Sequence, residues 1–374
     1  MQKIATLVIE GFRALRHLKI EGLGRINLIT GRNNTGKSSV LEALRILAAD
    51  ASPFVLRDIL RYREEDLGDT EDPHRPIDAE GLFLMSSLFH GFPQVSDSLD
   101  PIVIESIGGQ RPMRLTMQTG WFSEEREADG TRRIVPQQKG VSVEDTPLPL
   151  LVAEGGRGRR IFPLDFSRHD SFRVRPVRSD FIDEPRPACI FVSPYGVERT
   201  GTLGTLWDKI ALSDCETDVV DALRIIDPAI VAVSMVGGEG PNRRRTAIVR
   251  ATGLPRPVPL RSFGDGLNRL FGIALSLVNA KDGLLLIDEF ENGMHYTVQV
   301  DVWRAIFRLA RQLNIQVFAT SHSWDSVKAF QMAAAEAPDD GVLVRLSRHG
   351  EEIIPTLFRE DELEIVTRDH IEVR

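Results

Sequence analysis

The stretch from Ile26 to Leu47, INLITGRNNTGKSSVLEALRIL, constrains this chain more than any other. A short apolar run (Ile26, Leu28, Ile29) leads into Gly31-Arg32-Asn33-Asn34-Thr35-Gly36-Lys37-Ser38, which fits GxxxxGK[ST] at every fixed position. Val40, Leu41, Leu44 and Leu47 then recur at helical spacing. The order is strand, phosphate loop, helix. Gly31 and Gly36 permit a tight turn that aims successive backbone N–H groups at a polyphosphate, and the new helix adds its positive end. The expected nucleotide contacts are Gly31, Asn33, Asn34, Thr35, Gly36, Lys37, Ser38 and Ser39. Lys37 would reach the β- and γ-phosphates, and the Ser38 hydroxyl would be a magnesium ligand. A chance glycine-rich helix start is the bland alternative, and the flanking strand and helix weigh against it.

With 374 residues and 42% hydrophobic content, the chain has room for two or three domains, or for one large domain with an insertion. No run of about 18 apolar residues occurs, and MQKIATLVIE lacks the features of a signal peptide, so a cytoplasmic protein without a membrane partner is expected. Cys189 and Cys215 are too few for a disulfide framework. A net charge of -8 gives no global pull toward nucleic acid, so any such contact needs a local patch.

Residues 5–23 read as two strands joined by a turn at Gly11. The segments 1–52 and 188–374 would form one head, with 53–187 as an inserted subdomain, partly β and partly mobile. Within the insertion, 66–72 is acidic, 120–142 is polar without pattern, Gly155–Arg160 (GGRGRR) looks mobile, and 102–106, 114–118 and 161–166 look like strands. Arg157, Arg159, Arg160, Arg168, Arg173, Arg175 and Arg178 are a local excess of arginine, either a nucleic-acid surface or a solvated face paired with nearby acids. A buried strand is expected at 189–193 and a helix over 217–227. A hairpin at 230–251 would carry Arg243, Arg244 and Arg245 at its tip.

Further on, Leu284-Leu285-Leu286-Ile287 ends in Asp288-Glu289, as a parallel strand buried on both faces would deliver acids to its carboxyl end. Residues 315–319 form another such strand, ending at Thr320-Ser321-His322, and 298–313 has the pattern of a crossover helix. A helix to about residue 335, a hairpin at 342–358 and a charged helical tail follow. Behind a phosphate loop, Asp288 would hold magnesium opposite Ser38, and Glu289 would orient the attacking water or take its proton.

Ser262-Phe263-Gly264-Asp265-Gly266, followed by the helix 267–279, resembles the signature segment of ABC-type ATPases. In that family the segment faces the nucleotide of the opposite subunit, which implies roles in trans for Ser262, Gly264 and Gly266. His322 resembles the family's switch histidine, and Arg13 its N-terminal basic residue near the nucleotide. Together GRNNTGKSS, SFGDG, LLLIDEFENGMH and ATSHS look like the AAA-type core ATPases of the RecF, SMC and OLD class, nearest the stand-alone bacterial proteins with IDE(x)ENG(x)H. The resemblance spans roughly 1–50 and 187–374. It implies an α/β P-loop NTPase fold, an ABC-ATPase-like head with a mostly parallel core sheet, a β-rich N-terminal lobe and an inserted subdomain. It also implies ATP and Mg2+ as cofactors, hydrolysis, and a homodimer or higher oligomer. Three departures qualify it: there is no coiled-coil arm, too few residues follow His322 for a Toprim nuclease, and no Q-loop glutamine is evident beyond the candidates Gln110 and Gln118. The expected function is therefore an ATPase subunit that controls a separate, nuclease or Toprim-like effector in phage defence. The rivals are a RecF-like ATPase that binds DNA, and a non-hydrolysing ATP-dependent scaffold.

Overall fold

The structure is a computed structural model that describes residues 3–63, 65, 86–93, 100–109, 112–126, 132–136, 148–163, 187–195, 200–237, 245–337, 339–369 and 372–373. The chain begins with β1 (Thr6–Phe12), β2 (Leu15–Glu21) and β3 (Ile26–Gly31), then α1 (Lys37–Ala48) and α2 (Pro53–Tyr62). The strands β4 (Ile102–Ile107), β5 (Met113–Arg126), β6 (Arg132–Pro136), β7 (Leu148–Gly155), β8 (Gly158–Pro163) and β9 (Cys189–Val192) follow. Next come α3 (Thr200–Asp208), α4 (Asp214–Arg224), β10 (Ile230–Val236), β11 (Thr246–Ala251), β12 (Val258–Pro259), a 3-10 turn (Leu260–Phe263) and α5 (Asp265–Asn279). The last third holds β13 (Leu284–Ile287), α6 (Tyr296–Gln312), β14 (Gln316–Thr320), α7 (Trp324–Ala334), β15 (Gly341–His349), β16 (Glu352–Phe358) and α8 (Glu360–Arg368).

The apolar runs meet in one sheet of order β16-β15-β3-β14-β13-β9, parallel throughout except for β16. Strands of such a sheet are covered on both faces, which is why β3, β13 and β14 have no exposed position. On one face Ile26, Leu28, Leu285, Ile287, Val317 and Ala319 join a core completed by α3 to α8. On the other, Ile29, Leu284, Leu286 and Phe318 join α1, α2 and the inner faces of β1, β2, β4, β5 and β7. α1 therefore lies between two sheets, touching β3, β9 and β14 on one side and β1, β4 and β5 on the other. Two buried amides tie this core together. Gln316 accepts from the N–H groups of Lys3 and Ile4 and donates to the carbonyls of Ile4 and Gly24, while Asn27 bridges Gly24 and Val317.

The second sheet has the order β2-β1-β4-β5-β7-β8, with β6 on β5. Because β4 pairs with β1 antiparallel, from Thr6 opposite Ile107 to Glu10 opposite Val103, the strands β4 to β8 extend the sheet that β1 and β2 begin. Local sequence does not reveal such long-range pairing. The β1–β2 turn falls at Arg13-Ala14, two residues after Gly11, with Arg13 at φ 50°. GGRGRR, expected to be mobile, is instead the turn and start of the β7–β8 hairpin. Its Arg157 N–H and Arg160 guanidinium both bind the buried Asp50 carboxylate at the end of α1, at 3.0 and 2.8 Å. A buried carboxylate demands partners, and these two fix the hairpin. Arg159 faces Glu154 at 3.5 Å, and Arg245 faces Asp208 at 2.6 Å. Arg168, Arg173, Arg175, Arg178, Arg243, Arg244, Gln110 and the acidic 66–72 lie outside the described residues. Gln118 is an exposed residue of β5. Among the described residues no helix is long and apolar enough to cross a membrane.

Candidate active site

Between β3 and α1 the backbone takes shapes that favour glycine. Gly31 lies at φ 141° and Gly36 at φ 82°. A Cβ on Gly31 would overlap the Leu346 carbonyl of the neighbouring strand, and one on Gly36 would stand 2.7 Å from Leu15 Cδ2. Arg32, Asn33 and Asn34 form the exposed rim, and the buried Thr35 hydroxyl donates to the Arg32 carbonyl at 2.8 Å. α1 starts without a side-chain cap, which leaves its first N–H groups for an anion. Lys37 Nζ reaches back across the loop to the carbonyls of Gly31 (2.6 Å) and Arg32 (3.0 Å). Burial lowers the pKa of its ammonium, against the opposing pull of Asp288, Glu289 and Glu291. Ser39 is buried in the first turn of α1.

One strand, β14, stands between β3 and β13 and brings the distant acids to the loop. Ser38 Oγ donates to Asp288 Oδ1 at 3.1 Å across 250 residues of sequence. Thr320, the last residue of β14, donates to the same Oδ1 at 2.5 Å and accepts the Glu289 N–H at 2.8 Å. Asp288 is 3% exposed. Glu289 has a left-handed backbone, φ 47°, uncommon for a side chain of its size. His322, 55% exposed, donates its N–H to Glu291 Oε1 at 2.9 Å and sets Nδ1 3.2 Å from the same oxygen. It lines, with Gly31, Arg32, Asn33 and Glu372, a concavity of about 330 Å³ at the loop.

Lys37, Ser38, Asp288, Glu289 and His322 thus come together at the ends of three neighbouring strands. Arg13 does not join them. Its guanidinium contacts Glu42 at 2.7 Å and Glu65 at 2.8 Å, and Arg63 holds the other Glu42 oxygen at 2.6 Å. Burial raises the Glu42 pKa, while Arg13 and Arg63 counter it. Ser262 and Gly264 are exposed just before α5, and among the described residues no hydrogen bond joins them or Gly266 to the loop or the acids. Three residues of the site had no role in the sequence reading: Thr320, Glu291 and Arg269. Arg269, on the buried face of α5, binds the carbonyls of Ser193, Asp288 and Glu289. Its one signal in the sequence was a charge within the apolar run LNRLFGIAL.

Two family models match the segments that build this site. "AAA ATPase domain" covers residues 2–86, and "AAA domain, putative AbiEii toxin, Type IV TA system" covers residues 225–327. A Helicobacter pylori protein named "ATP/GTP phosphatase" is 22% identical over 388 aligned residues, which are 96% of this chain and 97% of that protein. An uncharacterized protein of Methanocaldococcus jannaschii is 46% identical over 65 residues, 16% of this chain and 30% of its own. Among solved structures, the "SmcHead bound to the C-winged helix domain of ScpA" superposes with a TM-score of 0.49 at 12% identity, over 97% of this chain and 100% of that one. At that score the superposition adds nothing to the strand order already described.

Proposed function

Taking the chain as a P-loop ATPase with an AAA-type core, we propose that two copies close around two molecules of ATP and that hydrolysis controls a separate effector protein. The observation that supports this most is the Ser262–Gly266 turn. It stands exposed, its helix has no side-chain cap, and a Cβ on Gly264 would meet nothing within 4 Å. The Ser262 hydroxyl and the open helix end are thus available to a phosphate, the Gly264 N–H being held by the Arg261 carbonyl, and their own chain's loop does not use them.

In this reading Lys37 and the loop amides hold the β- and γ-phosphates. Ser38 and Asp288 are a pair of hard oxygen donors 3.1 Å apart, which suits Mg2+, an ion that takes one or two carboxylates together with substrate phosphates. Bound there, Mg2+ would offset charge on the phosphates. Glu289 accepts a proton from the attacking water, and His322, steadied by Glu291, lies at the γ-phosphate side. The partner's Ser262, Gly264 and Gly266 would complete the cradle. The phosphatase name of the Helicobacter pylori relative agrees with nucleotide hydrolysis. The second family model is described by a Type IV toxin–antitoxin system, and within such a system we place this chain as the regulator of a separate nuclease or Toprim-like effector. The DNA-binding rival gains nothing from Arg160, which is committed to Asp50.

The test mixes two inactive variants, Lys37→Ala and Ser262→Arg. Random pairing leaves one intact composite site in half of the dimers, so the mixture should regain up to about a quarter of wild-type turnover. A mixture no more active than its parents would refute shared sites.

A further inference from the structure

Arg269 lies one helical turn past Asp265, so the helix that presents the signature turn also carries a buried cation. The side chain is 4% exposed, and its guanidinium spans three carbonyls from two parts of the chain. Nη1 binds Ser193, at the end of β9. Nη2 binds Asp288 at 2.8 Å and Glu289 at 3.1 Å. Burial lowers its pKa to about 10, opposed by Asp288, Glu291 and Glu289, so it keeps its charge at neutral pH. A second contact runs beside it: a Cβ on Gly266 would stand 2.9 Å from the Gly293 carbonyl, so the signature turn abuts the turn that follows Glu289.

Glu289 is held at both ends of its peptide units. Its N–H is held by Thr320 Oγ1 and its carbonyl by Arg269, and between these two bonds the residue keeps φ 47°. A small movement of α5 therefore reaches the backbone that aims the Glu289 carboxylate, and a closely packed interior transmits such shifts.

We propose that Arg269 is a positioning residue that couples the two nucleotide sites of the dimer. When one copy's Ser262–Gly266 turn meets its partner's nucleotide, α5 shifts, and Arg269 carries the shift to the backbone of its own Asp288 and Glu289. Each site then turns over faster when the other is filled, and slowly when it is not. This rests on the shared-site reading above.

The planar fork of arginine is what spans Ser193 and the acid turn; lysine keeps the charge but is a single point. In Arg269→Lys, calorimetric ATP affinity should stay within about twofold while turnover falls about 100-fold. The sigmoidal dependence of turnover on ATP expected of the wild type should become hyperbolic. Arg269→Gln, which keeps a donor for one side of the span without the charge or the fork, should also lose the sigmoidal dependence at nearly unchanged affinity, and it serves if Arg269→Lys does not fold. The coupling is overturned if either folded variant keeps a sigmoidal response, if affinity and turnover fall together, or if the wild type is hyperbolic. Scattering of Glu289→Gln with ATP separates the two readings. A dimer with hyperbolic wild-type turnover sinks the coupling alone, and a monomer sinks the shared site as well.

Discussion

Thr320 shows how much of the chemistry depends on single atoms that no motif names. Its one oxygen donates to Asp288 and accepts from the Glu289 N–H, so it fixes both acids together. Valine has the same shape and can do neither. Thr320→Val should leave circular dichroism unchanged and lower turnover by about 10- to 100-fold, measured by phosphate release; wild-type turnover would refute its role. The meeting of Lys37 and Ser38 with Asp288 and Glu289 was legible in the sequence because each pair follows an apolar strand run within a few residues. Arg269, Thr320 and Glu291 were not, because their partners come from elsewhere in the fold: Ser193 lies 76 residues from Arg269, and Glu291 lies 31 from His322. Arg13 shows the converse. A basic residue in the expected place is engaged by Glu42 and Glu65 on the flank of α1.

Among the elements, those buried on both faces were the easiest to read. β3, β13 and β14 appear as apolar runs because a parallel strand between helical layers has no wet side. β5 runs over 14 residues, yet only its apolar part, 114–118, looked like a strand, and the polar half beyond Thr119 hid its pairing with β6. The β7–β8 hairpin is hidden for a similar reason, since GGRGRR has the composition of a loose loop and is tied down by strand pairing and by Asp50. Gly155 permits that contact: a Cβ there would overlap Asp50 Oδ1 and stand 3.0 Å from Leu115 Cδ1. Gly155→Ala should cost about 1–3 kcal/mol in urea unfolding. ATP affinity should hardly change, because the phosphate loop is at the far end of α1, about 18 Å away at 1.5 Å per residue. Unchanged unfolding would mean that the hairpin does not rest on Asp50.

In the whole molecule, α1 is the shared layer. One helix contributes core side chains toward both sheets, and its first turn is the phosphate loop's exit. Loss of either sheet strips that helix of half its packing, so the two should unfold together in one thermal transition. A ligand that binds only the folded form adds stability by mass action, about 2.7 kcal/mol at a hundredfold excess over its Kd. ATP should therefore raise the whole transition of the wild type and leave that of Lys37→Ala where it was. Two separate transitions in scanning calorimetry, or an equal shift in the variant, would contradict this.

The strained backbone at Glu289 has a consequence for the history of such a chain. A glutamate in the left-handed region sacrifices roughly 1–3 kcal/mol that glycine would recover at once. Mutation alone would drift toward the relaxed residue, so the acid survives there only while something rewards its reactivity. A descendant that abandoned hydrolysis and kept the fold should betray the change first at this position, before any residue of the glycine loop had altered.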